Sequence, residues 1–281
     1  MSVEKEKGAL KPLFDLKRYI KKAGGNGLRP VYYLKIDIRS FFVSLKKDIL
    51  FELIKRHVKN PEILWLVKTI IFHNPTTDYY LKGDPRLFKL IPDYKSLFKV
   101  PASQGLPIGN LTSQFFANVY LNKLDQFVKH ILKAKYYLRY VDDIVLLSKN
   151  KERLKIWRNE IDKFLQNKLG LKLHPAKQIL QDINKGLNFV GFIIKPDYVL
   201  MRHRIVANLK QKLWKFNQKP DKFIEPDIKQ ILATINSYYG QFKHVQTFNL
   251  RYKLWHNNFE KLQNYLKPAD NNFSYFKIKN A

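Results

Sequence analysis

The chain has 281 residues, with 52 Lys or Arg against 23 Asp or Glu, a formal net charge of +29. Hydrophobic residues make up 45% and aromatics 14%, too many for a disordered basic tail, so a folded protein is expected beside a polyanion: nucleic acid first, an anionic membrane surface second. The absence of cysteine excludes disulfide scaffolds, thiolate metal sites and cysteine nucleophiles, and the lack of a long apolar run or an apolar leader in residues 1–7 points to a cytoplasmic setting with no membrane.

Residues 1–30 are basic and close on a loop signal, Gly24-Gly25-Asn26-Gly27. A short β-forming run over 31–36 ends at Asp37. Residues 46–72 read as helix, broken near Asn60-Pro61. Residues 73–109 carry Pro75, Pro85, Pro92, Pro101 and Pro107 and are expected to be mainly loop, with short strands or turns. From Leu111 through Phe115, Phe116, Val119, Leu124, Phe127, Val128 and Ile131, apolar residues recur at helical spacing. Two β-rich stretches, 136–140 and 144–147, flank Asp142-Asp143 and predict a hairpin with acids at its turn. Residues 151–169 form a basic amphipathic helix. A second hairpin is expected from 188–194 and 198–202, turning at Pro196-Asp197. From 205 onward the pattern is helical, with a break over 220–226, and no repeat or linker tract stands out. The best boundary lies near 204, between an α+β body and a helical tail.

Acids flanked by apolar residues stand out in so basic a chain. Asp37 sits where an apolar run meets Arg39-Ser40, and Asp142-Asp143 lie between Arg139-Tyr140-Val141 and Ile144-Val145-Leu146-Leu147. Adjacent carboxylates repel, and burying them unpaired is costly. Divalent metal ions relieve that cost, and a pair of them stabilises both the attacking and the leaving oxygen in phosphoryl transfer. An Asp pair is also common at hairpin turns, where Asp tolerates the backbone angles.

The neighbouring residues separate these readings. Tyr140-Val141-Asp142-Asp143 resembles the Tyr-x-Asp-Asp box of reverse transcriptases, and further boxes follow the family's order. Lys35-Ile36-Asp37-Ile38-Arg39-Ser40-Phe41-Phe42 resembles the first palm motif. Ile108-Gly109-Asn110-Leu111-Thr112-Ser113-Gln114 resembles the motif that opens the long palm helix. The stretch from Leu169 to Lys177 is similar to the fourth palm motif, Phe189-Val190-Gly191-Phe192 to the primer-grip hairpin, and Ser237-Tyr238-Tyr239-Gly240 with Lys243-His244 to the thumb of bacterial members. The resemblance spans roughly residues 31–250. Ile108 stands where most of the family has Gln, and Gln114 where most has Pro; this variant resembles the diversity-generating retroelement branch, whose members copy a template RNA with errors at adenines.

The resemblance implies an α+β right-hand palm with an antiparallel sheet, partial fingers and a helical thumb. Its expected layout is a basic residual fingers segment over 1–30, a palm with fingers insertions over 31–204, and a thumb with a tail over 205–281. It implies Asp37, Asp142 and Asp143 as metal ligands with the Ile38 carbonyl, two Mg²⁺ ions (Mn²⁺ as substitute), and Lys177 assisting pyrophosphate departure, although a Lys in this chain equally fits a solvated surface. Phe42 would exclude a ribose 2′-OH, or else be a core ring beside Phe41. Ile108 and Gly109 would lie near nucleotide and template, while Ser113 and Gln114 contact the nucleotide or cap and pack the helix. Phe189, Val190, Gly191 and Phe192 would hold the primer end or fill a core, and Lys243 and His244 would touch the duplex backbone. Implied partners are template RNA, a cDNA primer–template duplex, dNTPs and a small helical accessory protein. The 36 residues before Asp37 show no match to the family's fingers motifs, with Lys17, Arg18, Lys21, Lys22 and Arg29 as the basic residues available to substitute, so the expectation is either a shortened gene product or a partner that completes the site. The alternatives are another bacterial reverse transcriptase, of the group II intron or defence type, and a non-catalytic nucleic-acid-binding protein on a palm fold.

Overall fold

The computed structural model describes residues 10–218, 223 and 225–279. The expected break over 220–226 falls largely outside them. In chain order the elements are α1 (Lys11–Ala23), β1 (Tyr32–Ile38), α2 (Phe41–Ser44), α3 (Lys47–Lys55), α4 (Pro61–Phe72), α5 (Leu111–Gln126), β2 (Tyr136–Tyr140), β3 (Asp143–Ser148), α6 (Lys151–Phe164) and β4 (Leu173–Asp182). After these come β5 (Leu187–Phe189), β6 (Phe192–Ile194), β7 (Val199–Met201), α7 (His203–Asn217), α8 (Glu225–Phe242), α9 (Phe248–Asn258), β8 (Leu266–Pro268) and β9 (Phe276–Ile278). They fall into two compact units, Arg18–Asp182 and Met1–Lys17 with Ile183–Ala281.

The first unit is built on an antiparallel sheet of order β2-β3-β1-β4. Along β1, Leu34, Ile36 and Ile38 point to one face and pack with Ile144 and Leu146 of β3 against Tyr120, Leu121 and Leu124 of α5 and Leu154, Trp157 and Ile161 of α6. The strand period of two therefore sends Lys35 and Asp37 to the opposite face. Local signals account for the helix starts. Asn60 Oδ1 accepts the Glu62 and Ile63 amides at 2.9 and 3.1 Å, with Pro61 in the first turn, which explains the break at that dipeptide. Asn150 caps α6 in the same way. Both long helices end in a π-helical turn, Phe127–Ile131 and Leu165–Leu169. Residues 73–109 contain only short 3₁₀ segments, as their prolines imply.

Tyr120 ties this unit together. Its buried hydroxyl donates to the Leu169 carbonyl at 2.6 Å and accepts the Lys46 amide at 3.4 Å, and burial pushes the phenol up to about 12. Replacing Tyr120 by Phe keeps the ring but orphans a buried carbonyl, and should cost ~1–2 kcal/mol in a denaturant melt. Lys47, fully buried at the start of α3, donates Nζ to the His73 carbonyl at 3.0 Å, satisfying an end group of α4.

In the second unit the expected hairpin over 188–202 is a three-stranded meander, β5-β6-β7. The stretch 188–194 is not one strand: it turns at Val190 and Gly191, both at positive φ (42° and 90°). The chain after 205 is helical through α9 but ends in the β8–β9 pair, which the helical pattern did not foretell. Phe276 of β9 packs on Tyr239 and Phe259, each at 4.8 Å between ring centroids. The Asn236 side chain pairs with both backbone groups of Phe276, at 3.0 and 2.8 Å, acting as a strand partner supplied by a helix.

Candidate active site

β1 and β3 place the acids by register. Asp37 and Asp143 are directly paired Cα partners, so their side chains leave the same face at the same end of the sheet. The turn of the β2–β3 hairpin is Val141-Asp142, closed by the Tyr140–Asp143 pair; Asp143 opens β3 instead of lying in the turn as the sequence pattern suggested. Val141 has φ 56°, left-handed backbone that a β-branched residue rarely adopts.

β4 contributes the fourth charge. Its pairing with β1 slips between Ile36↔Gln178 and Ile38↔Leu173, and the irregular stretch contains Pro175, which has no amide to give the ladder. That bulge brings Lys177 Nζ to 2.6 Å from Asp37 Oδ2. The hydrogen bond to Asp37 raises the Lys177 pKa above the ordinary lysine value, opposed by desolvation and supported by the charges of Asp37, Asp142 and Asp143. Burial, followed by the charges of Asp37 and Asp143, pushes the Asp142 carboxyl above the usual carboxylate range; its own backbone amide and Lys177 only partly oppose this. Lys35, two residues before Asp37 on the same face, lies 3.2 Å from Asp143 Oδ1. Three carboxylates and two ammonium groups thus share one end of the sheet.

The structure brings together Asp37, Asp142, Asp143 and Lys177. The Ile38 side chain is buried on the opposite face, which leaves only its backbone to serve a ligand. Phe42 is half-buried, edge-on to Phe41 at 5.3 Å, and its carbonyl accepts the Leu106 amide at 2.8 Å. Gly105 belongs to the same loop contact: a Cβ there would meet Leu97 Cδ2 at 2.4 Å. Ile108 is 77% exposed, and Gly109 has φ 110° with nothing within 4 Å of a built Cβ. Asn110, not Ser113, is the N-cap of α5; Ser113 is buried and Gln114 is exposed.

Phe189, Val190, Gly191, Phe192, Lys243 and His244 lie in the second unit. The Phe189 and Phe192 side chains are buried in the core of this hairpin, and Val190-Gly191 at its turn are only half-buried. Lys243 and His244 are exposed, and burial followed by the Lys243 charge lowers the His244 pKa. Sequence inspection passed over Lys35 and Arg139. The period-two spacing of Lys35 and Asp37 was the available signal for the first.

A family model described as reverse transcriptase (RNA-dependent DNA polymerase) matches residues 9–194, more than half of the chain. The chain belongs to the reverse transcriptase family. Its sheet and helices form the family's α+β palm-type fold. No curated protein matches this reverse transcriptase chain. Similar solved structures include apo telomerase of Candida tropicalis truncated from its C-terminal domain, at 19% identity and TM-score 0.48, covering 72% of this chain and 40% of that one. Telomerase of Candida albicans in complex with a fragment of telomeric RNA matches at 11% identity and TM-score 0.47, covering 84% and 44%. The chain therefore spans less than half the length of these telomerases.

Reverse transcriptase domains bind RNA and nucleotides and use divalent metal ions, usually Mg²⁺. Among the described residues no set of three His, Cys, Asp or Glu side chains is arranged to hold a metal ion. Asp37 and Asp143 instead each face a lysine. The donors themselves fit Mg²⁺, being carboxylate oxygens gathered from two paired strands and the adjoining turn. Among the described residues no helix is long and apolar enough to cross a membrane.

Proposed function

We propose that this chain is an RNA-directed DNA polymerase, copying a template RNA into cDNA at the carboxylate cluster of its palm. The observation that carries this reading is the direct register pairing of Asp37 with Asp143, with Asp142 on the adjoining turn. Asp37, Asp142, Asp143 and the Ile38 carbonyl would hold two Mg²⁺ ions, or Mn²⁺ in their place, once Lys177 and Lys35 give way. Those ions supply charge neutralisation at the attacking and leaving oxygens of an in-line displacement.

The chain's own residues do the rest. The primer 3′-OH would attack the α-phosphate of a dNTP, its proton passing to solvent as the new P–O bond forms and the bond to pyrophosphate breaks, and the 61% exposed Lys177 ammonium would neutralise the departing pyrophosphate. Phe42 presents its ring to the sugar, and Ile108 with Gly109 borders the nascent base pair. Lys243, His244 and the other basic residues of the thumb hold the primer–template duplex through its phosphates, a salt-sensitive and sequence-blind mode. A small helical accessory protein would complete the assembly and share in neutralising the +29 charge.

The branch within the family follows from Ile108 and Gln114. A branched aliphatic that is 77% exposed offers no hydrogen bond to a template base or nucleotide where an amide would. Copying with errors at adenines, as in a diversity-generating retroelement, is what the resemblance of this Ile-Gly-x-x-x-Ser-Gln variant implies, and the lost hydrogen bonds are compatible with it. Misincorporation opposite template adenine should drop about tenfold or more in Ile108→Gln, read by sequencing the cDNA; equal and low error rates in both proteins would remove this assignment. The polymerase reading itself is tested by extension of a primer on an RNA template with dNTPs and Mg²⁺. Tight RNA binding with no extension under any divalent ion would instead make the chain a nucleic-acid-binding palm.

A further inference from the structure

The Val141-Asp142 turn is under a constraint that its own sequence does not explain. A two-residue hairpin turn with φ 56° at its first position favours Gly, and Val is among the residues least suited to it. Something outside the turn must hold the backbone there. The side chain in contact with it is Arg139, whose Nη1 donates to the Val141 carbonyl at 2.8 Å.

Arg139 is itself held from the other side. Its Nε and Nη2 donate to Asp125 Oδ1 and Oδ2 at 2.8 and 2.6 Å, a bidentate fork that fixes the guanidinium plane. Asp125 also accepts the Tyr137 hydroxyl at 2.6 Å, and Arg139 Nη1 reaches Asn118 Oδ1 at 3.2 Å. The Arg139 and Asp125 side chains are 9% and 18% exposed, so the pair is largely out of water. Both Asp125 and Asn118 belong to α5, which is fixed in the core by Tyr120, Leu121 and Leu124. A buried ion pair is a poor stabiliser compared with apolar residues of the same volume, which leaves its geometric effect as the reason for its presence.

We infer that Arg139 is a positioning residue for the carboxylate cluster: anchored on α5 through Asp125, it holds the Val141 carbonyl and so keeps the left-handed turn that presents Asp142 beside Asp37 and Asp143. The inference rests on the proposed use of that cluster to hold metal. Lysine cannot replace Arg139, because one ammonium does not serve two carboxylate oxygens and a carbonyl in a plane. Arg139→Lys nevertheless keeps the charge facing Asp125, so its fold is preserved.

The test compares the native chain, Arg139→Lys, and Arg139→Lys combined with Val141→Gly, since glycine adopts positive φ without help. Mn²⁺ affinity is read by electron paramagnetic resonance in the absence of nucleotide, and turn dynamics by amide hydrogen exchange over residues 139–144. Arg139→Lys should bind Mn²⁺ about 10–100-fold more weakly, in the range typical of residues that orient metal ligands. It should also exchange faster at the turn while its melting temperature stays close to native, and the added Val141→Gly should restore most of the lost affinity. Unchanged exchange at the turn in Arg139→Lys, or a loss of affinity that Val141→Gly leaves untouched, would overturn the assignment. If Mn²⁺ binding does not depend on Asp142 even in the native chain, the metal reading of the cluster fails, and the exchange measurement still decides whether Arg139 holds the turn.

Discussion

Replacing Asp142 with Asn should lower RNA-templated primer extension by about a thousandfold or more and, in the same protein treated with chelator, raise the melting temperature. The two effects have one cause. Burial and the nearby charges of Asp37 and Asp143 raise the Asp142 carboxyl above the usual carboxylate range. Because its folded value exceeds its unfolded one, the folded state holds the proton more tightly. The associated stability is present at pH below the unfolded value and is lost as pH rises through the folded value. At neutral pH the ionised Asp142 therefore destabilises the metal-free chain, and Asn, which carries no charge, removes that penalty. A gain of about 1 kcal/mol corresponds to a melting point ~2–4 °C higher, fading as the buffer is taken below the carboxylate range. The thousandfold loss of extension corresponds to ~4 kcal/mol of transition-state stabilisation. A gain in stability with no loss of extension would place the chemistry elsewhere; loss of both would mean that the Asp142→Asn substitution disrupts the turn.

Phe42→Ala should raise incorporation of ribonucleotides relative to deoxyribonucleotides by about a hundredfold, measured as the ratio of kcat/KM values for rNTP and dNTP on one primer–template. Phe42 is only half-buried, and its position is over-determined: Phe41 meets its ring edge-on, and its carbonyl is bonded to Leu106 in the loop that Gly105 lets pass close by. A ring that faces the sugar excludes an extra hydroxyl by steric conflict, which does not depend on lost hydrogen bonds, and a factor of a hundred is ~3 kcal/mol. A ratio unchanged from native, with a lowered melting temperature, would show that Phe42 is a core ring with no part in sugar selection.

Much of the palm was legible in the chain. A short run of β-formers marked β1 and ended it at Asp37; the apolar spacing marked α5 and α6; Asn60-Pro61 marked the break before α4. These features depend on neighbours within a turn or two, so local composition expresses them. β4 was not legible as a strand. His174-Pro175-Ala176-Lys177 has neither alternation nor strong β-formers, and it is extended because β1 supplies its hydrogen bonds. The β8–β9 pair was hidden for a similar reason: Phe276 is strand because Asn236 and the aromatic core receive it.

The candidate site divides along the same line. The motifs by themselves singled out Asp37, Asp142 and Asp143 and their order along the chain, and the +29 balance pointed to a polyanion as partner. Only the tertiary structure decided that Asp37 faces Asp143 across two strands, that Lys177 and Lys35 neutralise them, and that Arg139 reaches from β2 to α5 and back to Val141. Residue type and spacing are properties of the chain. The charge on each acid, the strain in the turn and the pairing of lysines depend on distances between residues as far apart as 37 and 177, and those distances exist only once the sheet has closed its register.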